Sequence, residues 1–189
     1  MPTDMPVLIV FSGLPGSGKS MIARALARDL GGVWLRIDAI EQAIRASGIV
    51  TGSLDDAGYR AAYALAEDNL RLGRDVIADC VNPWMLTRDA WRATGLRAGA
   101  RVVEIETVCP NPREHRRRVE TRTNDVPGMI LPDWAAVTTR DYHAWDRDVV
   151  TIDTAENTIA TCIERIRAAI AQACEEPCAS GAAPSTPAG

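Results

Sequence analysis

The sequence predicts an α/β domain built on a parallel sheet, and three observations carry that prediction. Val7 to Phe11 is a continuous apolar run, as in a strand buried on both faces. It stops at a glycine-rich loop, Gly13-Leu14-Pro15-Gly16-Ser17-Gly18-Lys19-Ser20, which opens a helix marked by Ile22, Leu26 and Leu30 at four-residue spacing. Beyond that helix, strand-like and helix-like stretches alternate along the chain without an internal repeat.

Taken in order, the first helix ends at Gly31-Gly32, and Val33 to Asp38 alternates apolar and polar residues as a second strand. This spacing puts Asp38 at the strand's C-terminal end, before a short helix from Ala39 that carries Ile40 and Ile44. A longer helix is expected over Asp55 to Leu72, with acids in its first turn, a stripe of Tyr59, Tyr63, Ala66 and Leu70, and Gly73 as its cap. Val76-Ile77-Ala78 forms a third strand ending at Asp79; a helix over Thr87 to Leu96 and a strand over Val102 to Val108 follow.

Asn111-Pro112-Arg113-Glu114 is a helix start, with Asn as N-cap and Pro at the first position. That helix runs to about Arg122 and breaks in Thr123-Asn124-Asp125-Val126-Pro127-Gly128. A helix from Trp134 to Tyr142, a fifth strand over Val149 to Ile152 and a final amphipathic helix with Ile159, Ile163, Ile166 and Ile170 complete the pattern. Trp134, Tyr142 and Trp145 read as packing residues. Residues 1–174 therefore form one domain. From Glu175 to Gly189 the chain is rich in Pro, Gly, Ala and Ser, and a disordered tail is expected there.

Composition narrows the function classes. The formal charge is −4, which lacks the basic balance of a protein that grips long nucleic acid through its phosphates. The five cysteines, at 80, 109, 162, 174 and 178, show no metal-type spacing; with no signal peptide and no apolar run long enough for a membrane span, a reduced, cytoplasmic protein is expected. His115 reads as a solvated residue of an arginine-rich helix, and neither it nor His143 has a visible partner.

The glycine-rich loop matches the phosphate-binding pattern G-x-x-x-x-G-K-S in full, in the strand-to-helix context that the pattern requires. Lys19 is the only lysine among 21 basic residues, so a compact ammonium is retained where every other position carries a guanidinium. Gly13, Gly16, Ser17, Gly18, Lys19 and Ser20 are the expected nucleotide-binding set. N–H groups of residues 16–20 should point at the β-phosphate, Lys19 should reach the β and γ oxygens, and the Ser20 hydroxyl should bind Mg²⁺.

Asp38 and Asp79 both fall at strand ends, where open α/β sheets bind their ligands. A carboxylate there can orient an acceptor hydroxyl and take its proton, and Asp38 is assigned that role, with an N-cap role as the plainer alternative. Asp79, a weak Walker-B-like signal, could hold Mg²⁺, fix a lid arginine or contact substrate. Arg118 and Arg122 are four apart on one helix face and could converge on the γ-phosphate. The plainer reading pairs Glu114 with Arg118 and Arg116 with Glu120 as surface charge. The Pro- and Gly-flanked segment favours a lid, about 111–132, that closes over the site.

These residues resemble those of the small P-loop kinases related to gluconate kinase, adenylylsulfate kinase, chloramphenicol phosphotransferase and the kinase domain of phage polynucleotide kinase. The resemblance rests on the phosphate loop, on Arg36-Ile37-Asp38, on the stretch from Val76 through Asp79 to Asn82, and on His115 through Arg122. It extends over Pro132 to Thr154 to bacterial kinase-like proteins labelled as AAA-type ATPases, and covers roughly Val7 to Ala173. It implies a P-loop NTPase three-layer sandwich with a five-stranded sheet in the order 2-3-1-4-5 and a short helical lid. It also implies that Asp38 is the acceptor-activating aspartate and that Arg118 or Arg122 is the lid arginine. ATP and Mg²⁺ follow as cofactors. The expected activity is transfer of the γ-phosphoryl group to a small hydroxyl-bearing molecule: a metabolite, nucleoside or antibiotic. A nucleic-acid 5′-hydroxyl kinase and a nucleotide-dependent ATPase switch acting on a partner are the alternatives.

Overall fold

The computed structural model describes residues 5–175. The elements are β1 (Val7–Ser12), α1 (Lys19–Leu30), β2 (Val33–Arg36), α2 (Ile37–Ala46), α3 (Ala57–Arg71), β3 (Val76–Asp79), α4 (Met85–Arg97), β4 (Arg101–Val108), α5 (Pro112–Thr121), α6 (Trp134–Thr138), β5 (Val150–Asp153) and α7 (Ile159–Glu175). The expected tail lies outside the described residues except for Glu175, the last residue of α7. No helix among the described residues is long and apolar enough to cross a membrane.

All five strands run parallel in the order β2-β3-β1-β4-β5, as expected. Every residue of β1 is buried because it is the middle strand and each of its faces meets helices. Val7, Ile9 and Phe11 pack with Ile22 and Leu26 of α1 and Ile166 of α7, whereas Leu8 and Val10 pack with Ala62, Ala66 and Leu70 of α3 and Trp91 of α4. These two apolar layers hold the carboxyl ends of β1, β3 and β4 level, and the polar residues of interest sit there.

The second strand ends earlier than its alternation suggests. Its last ladder pair is Arg36 with Asp79, where β3 itself stops, so nothing remains for Ile37 and Asp38 to pair with. The chain turns directly into α2, burying Ile37, and Asp38 lies in the first turn of that helix with Arg36 as N-cap. It is neither a strand end nor a cap. The negative charge there still suits the positive end of the helix.

The expected helix over Trp134 to Tyr142 stops at Thr138. The chain beyond it is irregular and is held by Arg88 of α4, a fully buried guanidinium that takes the carbonyls of His143 and Ala144 at 2.8 and 3.1 Å. It stacks 4.0 Å over the Trp145 ring and 5.0 Å over the Tyr142 ring. Tyr142 and Trp145 are packing residues, but on an irregular strap. Asp55 adopts a left-handed φ of 43°, so α3 begins at Ala57 and the expected acids precede it. Other boundaries move by one or two residues.

Candidate nucleotide and phosphoryl-transfer site

The loop between β1 and α1 closes on itself and on its neighbours. Gly13 donates to the Val81 carbonyl at 3.1 Å, and Ser17 N–H donates to the Leu14 carbonyl at 3.1 Å. A Cβ on Gly13 would stand 2.5 Å from the Thr107 carbonyl, and one on Gly16 would stand 2.6 Å from Val119. Both have positive φ, so only glycine fits. Of the five N–H groups expected to face a phosphate, Ser17's is spent inside the loop. Those of Gly16, Gly18, Lys19 and Ser20 have no partner among the described residues. They form a cradle for an anion at the amino end of α1.

Lys19 is 7% exposed, and its charge acts on Asp79. Ser20 Oγ donates to Asp79 Oδ1 at 3.1 Å, while Asp79 Oδ2 is buried without a partner. Burial pushes the Asp79 carboxyl up, against the opposing pull of Lys19 and the Ser20 hydrogen bond. This pair suits Mg²⁺. A hard cation takes oxygen ligands and completes its shell from phosphate and water, and here a hydroxyl and an unsatisfied carboxylate oxygen stand together. No group of three or more His, Cys, Asp or Glu side chains among the described residues offers a fuller protein cage.

Asp38 is partly buried, and its charge is felt by Asp79, Arg36, Glu41 and Arg122. The two aspartates singled out from the sequence therefore lie within electrostatic reach of each other and of Arg36, and Asp38 also acts on Arg122. Arg36, not singled out, is gripped by Asp125 of the loop after α5 through two hydrogen bonds of 2.9 Å.

Arg118 and Arg122 have different surroundings. Arg118 donates from Nε to Glu114 at 2.7 Å, and from its two Nη atoms to the hydroxyl and carbonyl of Thr154, both at 2.9 Å. Its three nitrogens are thus occupied beside the outer wall of the loop. Arg122 is half-buried, with an unpartnered Nε and only a 3.5 Å contact to the Pro132 carbonyl, and its guanidinium feels Asp38 and Arg36. Convergence of both arginines on one point is not what the structure brings about. The plainer pairs both exist: Arg116 with Glu120, and Arg117 and Arg118 with Glu114, which hold the Glu114 carboxyl at about 2.

His115 is buried, not solvated. Its Nε2 lies 2.8 Å from the Pro15 carbonyl, and its ring meets Trp134 edge-on at 5.2 Å. Thr154 was also missed: its hydroxyl donates to the Ser17 carbonyl at 2.7 Å. Asn82 has a left-handed φ of 51° and no exposed surface; its amide donates to Ser12 Oγ at 2.9 Å and its Oδ1 is unpartnered. An Asn before Pro three residues after a strand-ending acid was the one available signal, since Asn tolerates that conformation. Two cavities adjoin these groups. One, of about 530 Å³, lies between Arg36, Ile40, Gln42, Asp125 and Pro127. The other, of about 390 Å³, is walled by Leu14, Glu106, His115 and Tyr142.

A family model described as an AAA domain matches residues 8–139. Among solved structures, a provisionally assigned kinase from Chloroflexus aurantiacus superposes with a TM-score of 0.69 at 18% identity, covering 90% of this chain and 98% of that one. A gluconokinase from Sinorhizobium meliloti gives 0.62 at 21% identity over 90% and 95%. The APS kinase of Mycobacterium tuberculosis, in complex with AMPPNP and APS, gives 0.65 at 18% over 88% and 98%. At these identities the likeness establishes the fold of small P-loop kinases. No curated protein matches the chain.

Proposed function

Because the chain belongs to the AAA domain family, we propose that it moves the γ-phosphoryl group of ATP to a hydroxyl of a small molecule. The observation that carries this reading is the meeting of the anion cradle and Lys19 with Asp38, Asp79 and Arg122 at the carboxyl end of the sheet. The N–H groups of Gly16, Gly18, Lys19 and Ser20 hold the β-phosphate, and Lys19 spans to the γ oxygens. Arg122, still without a strong partner, meets the charge that spreads over the transferred group. Arg118 acts through Thr154 on the loop.

Asp38 accepts a hydrogen bond from the acceptor hydroxyl, fixes its direction, and takes its proton late in transfer. Ser20 and Asp79 would hold Mg²⁺, which when bound supplies positive charge at the phosphate oxygens. The lid loop, drawn toward β2 by Asp125, excludes water so that the acceptor is preferred over hydrolysis. Metabolites, nucleosides and antibiotics with a free hydroxyl are the acceptor classes.

Two observations disfavour the nucleic-acid kinase. The exposed Arg116 and Arg117 of α5 are paired with Glu120 and Glu114, and the chain is acidic overall. A screen of hydroxyl compounds for acceptor-dependent ADP release tests the main reading. A true acceptor should raise ADP release well above the rate in water, and Asp38→Asn should lower that rate by about 100-fold or more. ADP release that no acceptor changes would instead make the chain an ATPase.

A further inference from the structure

Two side chains from outside the phosphate loop hold its backbone. In a trans peptide the C=O and N–H point in opposite directions, so whatever captures a loop carbonyl also aims the next residue's N–H. Two loop carbonyls are captured. The Pro15 carbonyl lies 2.8 Å from His115 Nε2, and the Ser17 carbonyl accepts from the Thr154 hydroxyl at 2.7 Å. The next residues are Gly16 and Gly18, whose N–H groups are two of the four left free for an anion. A carbonyl can only accept, so His115 carries its hydrogen on Nε2.

We propose that His115 is a positioning residue for nucleotide binding: its hydrogen bond to the Pro15 carbonyl fixes the Pro15–Gly16 peptide with the Gly16 N–H facing the phosphate. The proposal rests on the reading of the cradle as a nucleotide site and deepens it. Glycine at 16 has the widest backbone freedom of any residue, so without a tether this peptide can rotate and the N–H is lost to the ligand. His115 and Val119 stand at i and i+4 on α5 and so share one face, and Arg122 caps the end of that helix. Val119 contacts the same glycine, for a Cβ there would come within 2.6 Å of it. Trp134 of α6 closes the ring's other side. The tether therefore also sets the position of the helix that delivers Arg122, so that a loop ordered for phosphate and a correctly placed arginine arise together.

The test is nucleotide affinity, which needs no acceptor. His115→Leu fills the space without a donor; His115→Gln puts an amide N–H near the place of Nε2. Titration calorimetry with a non-hydrolysable ATP analogue should show His115→Leu binding about five- to tenfold more weakly than the parent, as expected for one lost hydrogen bond. His115→Gln should recover most of that loss, and the Gly16 amide resonance should shift on ligand addition in the parent and the Gln variant only. Should the Leu variant fail to fold by thermal melting, His115→Asn, whose amide is too short to reach, takes its place with the same expectation. Parent-like affinity in the donor-less variant, or equal weakening in both variants, would overturn the positioning role while leaving the nucleotide site standing. No binding by the parent protein would overturn both.

Discussion

Ser20 Oγ and Asp79 Oδ1 lie 3.1 Å apart, joining the first turn of α1 to the end of β3 and leaving Asp79 Oδ2 buried and unpaired. An unsatisfied carboxylate oxygen in this setting is costly to keep, and a divalent cation offsets the cost. Asp79→Asn should weaken nucleotide binding in Mg²⁺ by a factor of about ten, or about 1.4 kcal/mol. In EDTA the variant and parent should bind alike. Equal affinities in Mg²⁺ would remove Asp79 from the metal site.

Arg36 and Asp125 form a bidentate pair in which Arg36 is 15% and Asp125 56% exposed. Arg36 holds the Asp125 carboxyl below its usual range, and the pair ties the loop after α5 to the edge strand β2. A half-exposed pair contributes no more than about 1 kcal/mol to global stability, so the effect of Asp125→Ala should be local. Limited proteolysis should cut within residues 123–132 faster in the variant, at nearly unchanged melting temperature. An unchanged cutting rate would mean that the lid loop is held by something else.

Glu41 is half-buried on α2, three residues beyond Asp38, and its carboxyl is pushed up first by burial and then by the Asp38 charge. The folded state thus holds this proton more tightly than the unfolded chain. Ionisation costs stability above the folded pKa, and that cost disappears as pH falls below the unfolded value of about 4.3. Glu41→Gln should raise the melting temperature at pH 7, with the advantage shrinking to nothing near pH 4. A pH-independent difference would point to packing against Gly58, which the Glu41 side chain also touches.

Among the described residues Arg88 has no carboxylate partner; its nitrogens serve the carbonyls of Asn82, Pro83, His143 and Ala144. Arg88→Leu leaves these acceptors dry and unpaired, at a cost of about 3 kcal/mol. Amide exchange in residues 139–148 should accelerate more than in the core strands. Uniform acceleration across the fold would contradict a local strap.

The sequence displayed the sheet because its central strands are buried on both faces, which leaves unbroken apolar runs such as Val7 to Phe11. It displayed the cradle because glycine and lysine there answer to backbone geometry and charge, both written locally. The place of Asp38 was misjudged because strand termination depends on the partner strand: β2 stops where β3 stops, a non-local fact. The irregular strap after α6 was hidden for the same kind of reason, since Arg88 lies about fifty residues away from the carbonyls it holds. His115 was read as solvated and Thr154 passed over, because each holds a main-chain carbonyl, which leaves no motif. Arg118 and Arg122 share a helix face and so look alike in sequence, and only their neighbours, Glu114 and Thr154 against Asp38 and Arg36, tell them apart.

Lys19 is the chain's sole lysine, and it is almost wholly enclosed. Acylating reagents that seek a side-chain amine have one possible target, at the centre of the cradle. An acyl-phosphate derivative of ATP would deposit a single label at a known position, and competition by unmodified nucleotide would report occupancy directly. A lysine-specific protease has one bond to cut in the whole sequence, beside the enclosed Lys19, so the appearance of that single cleavage reports exposure of this loop.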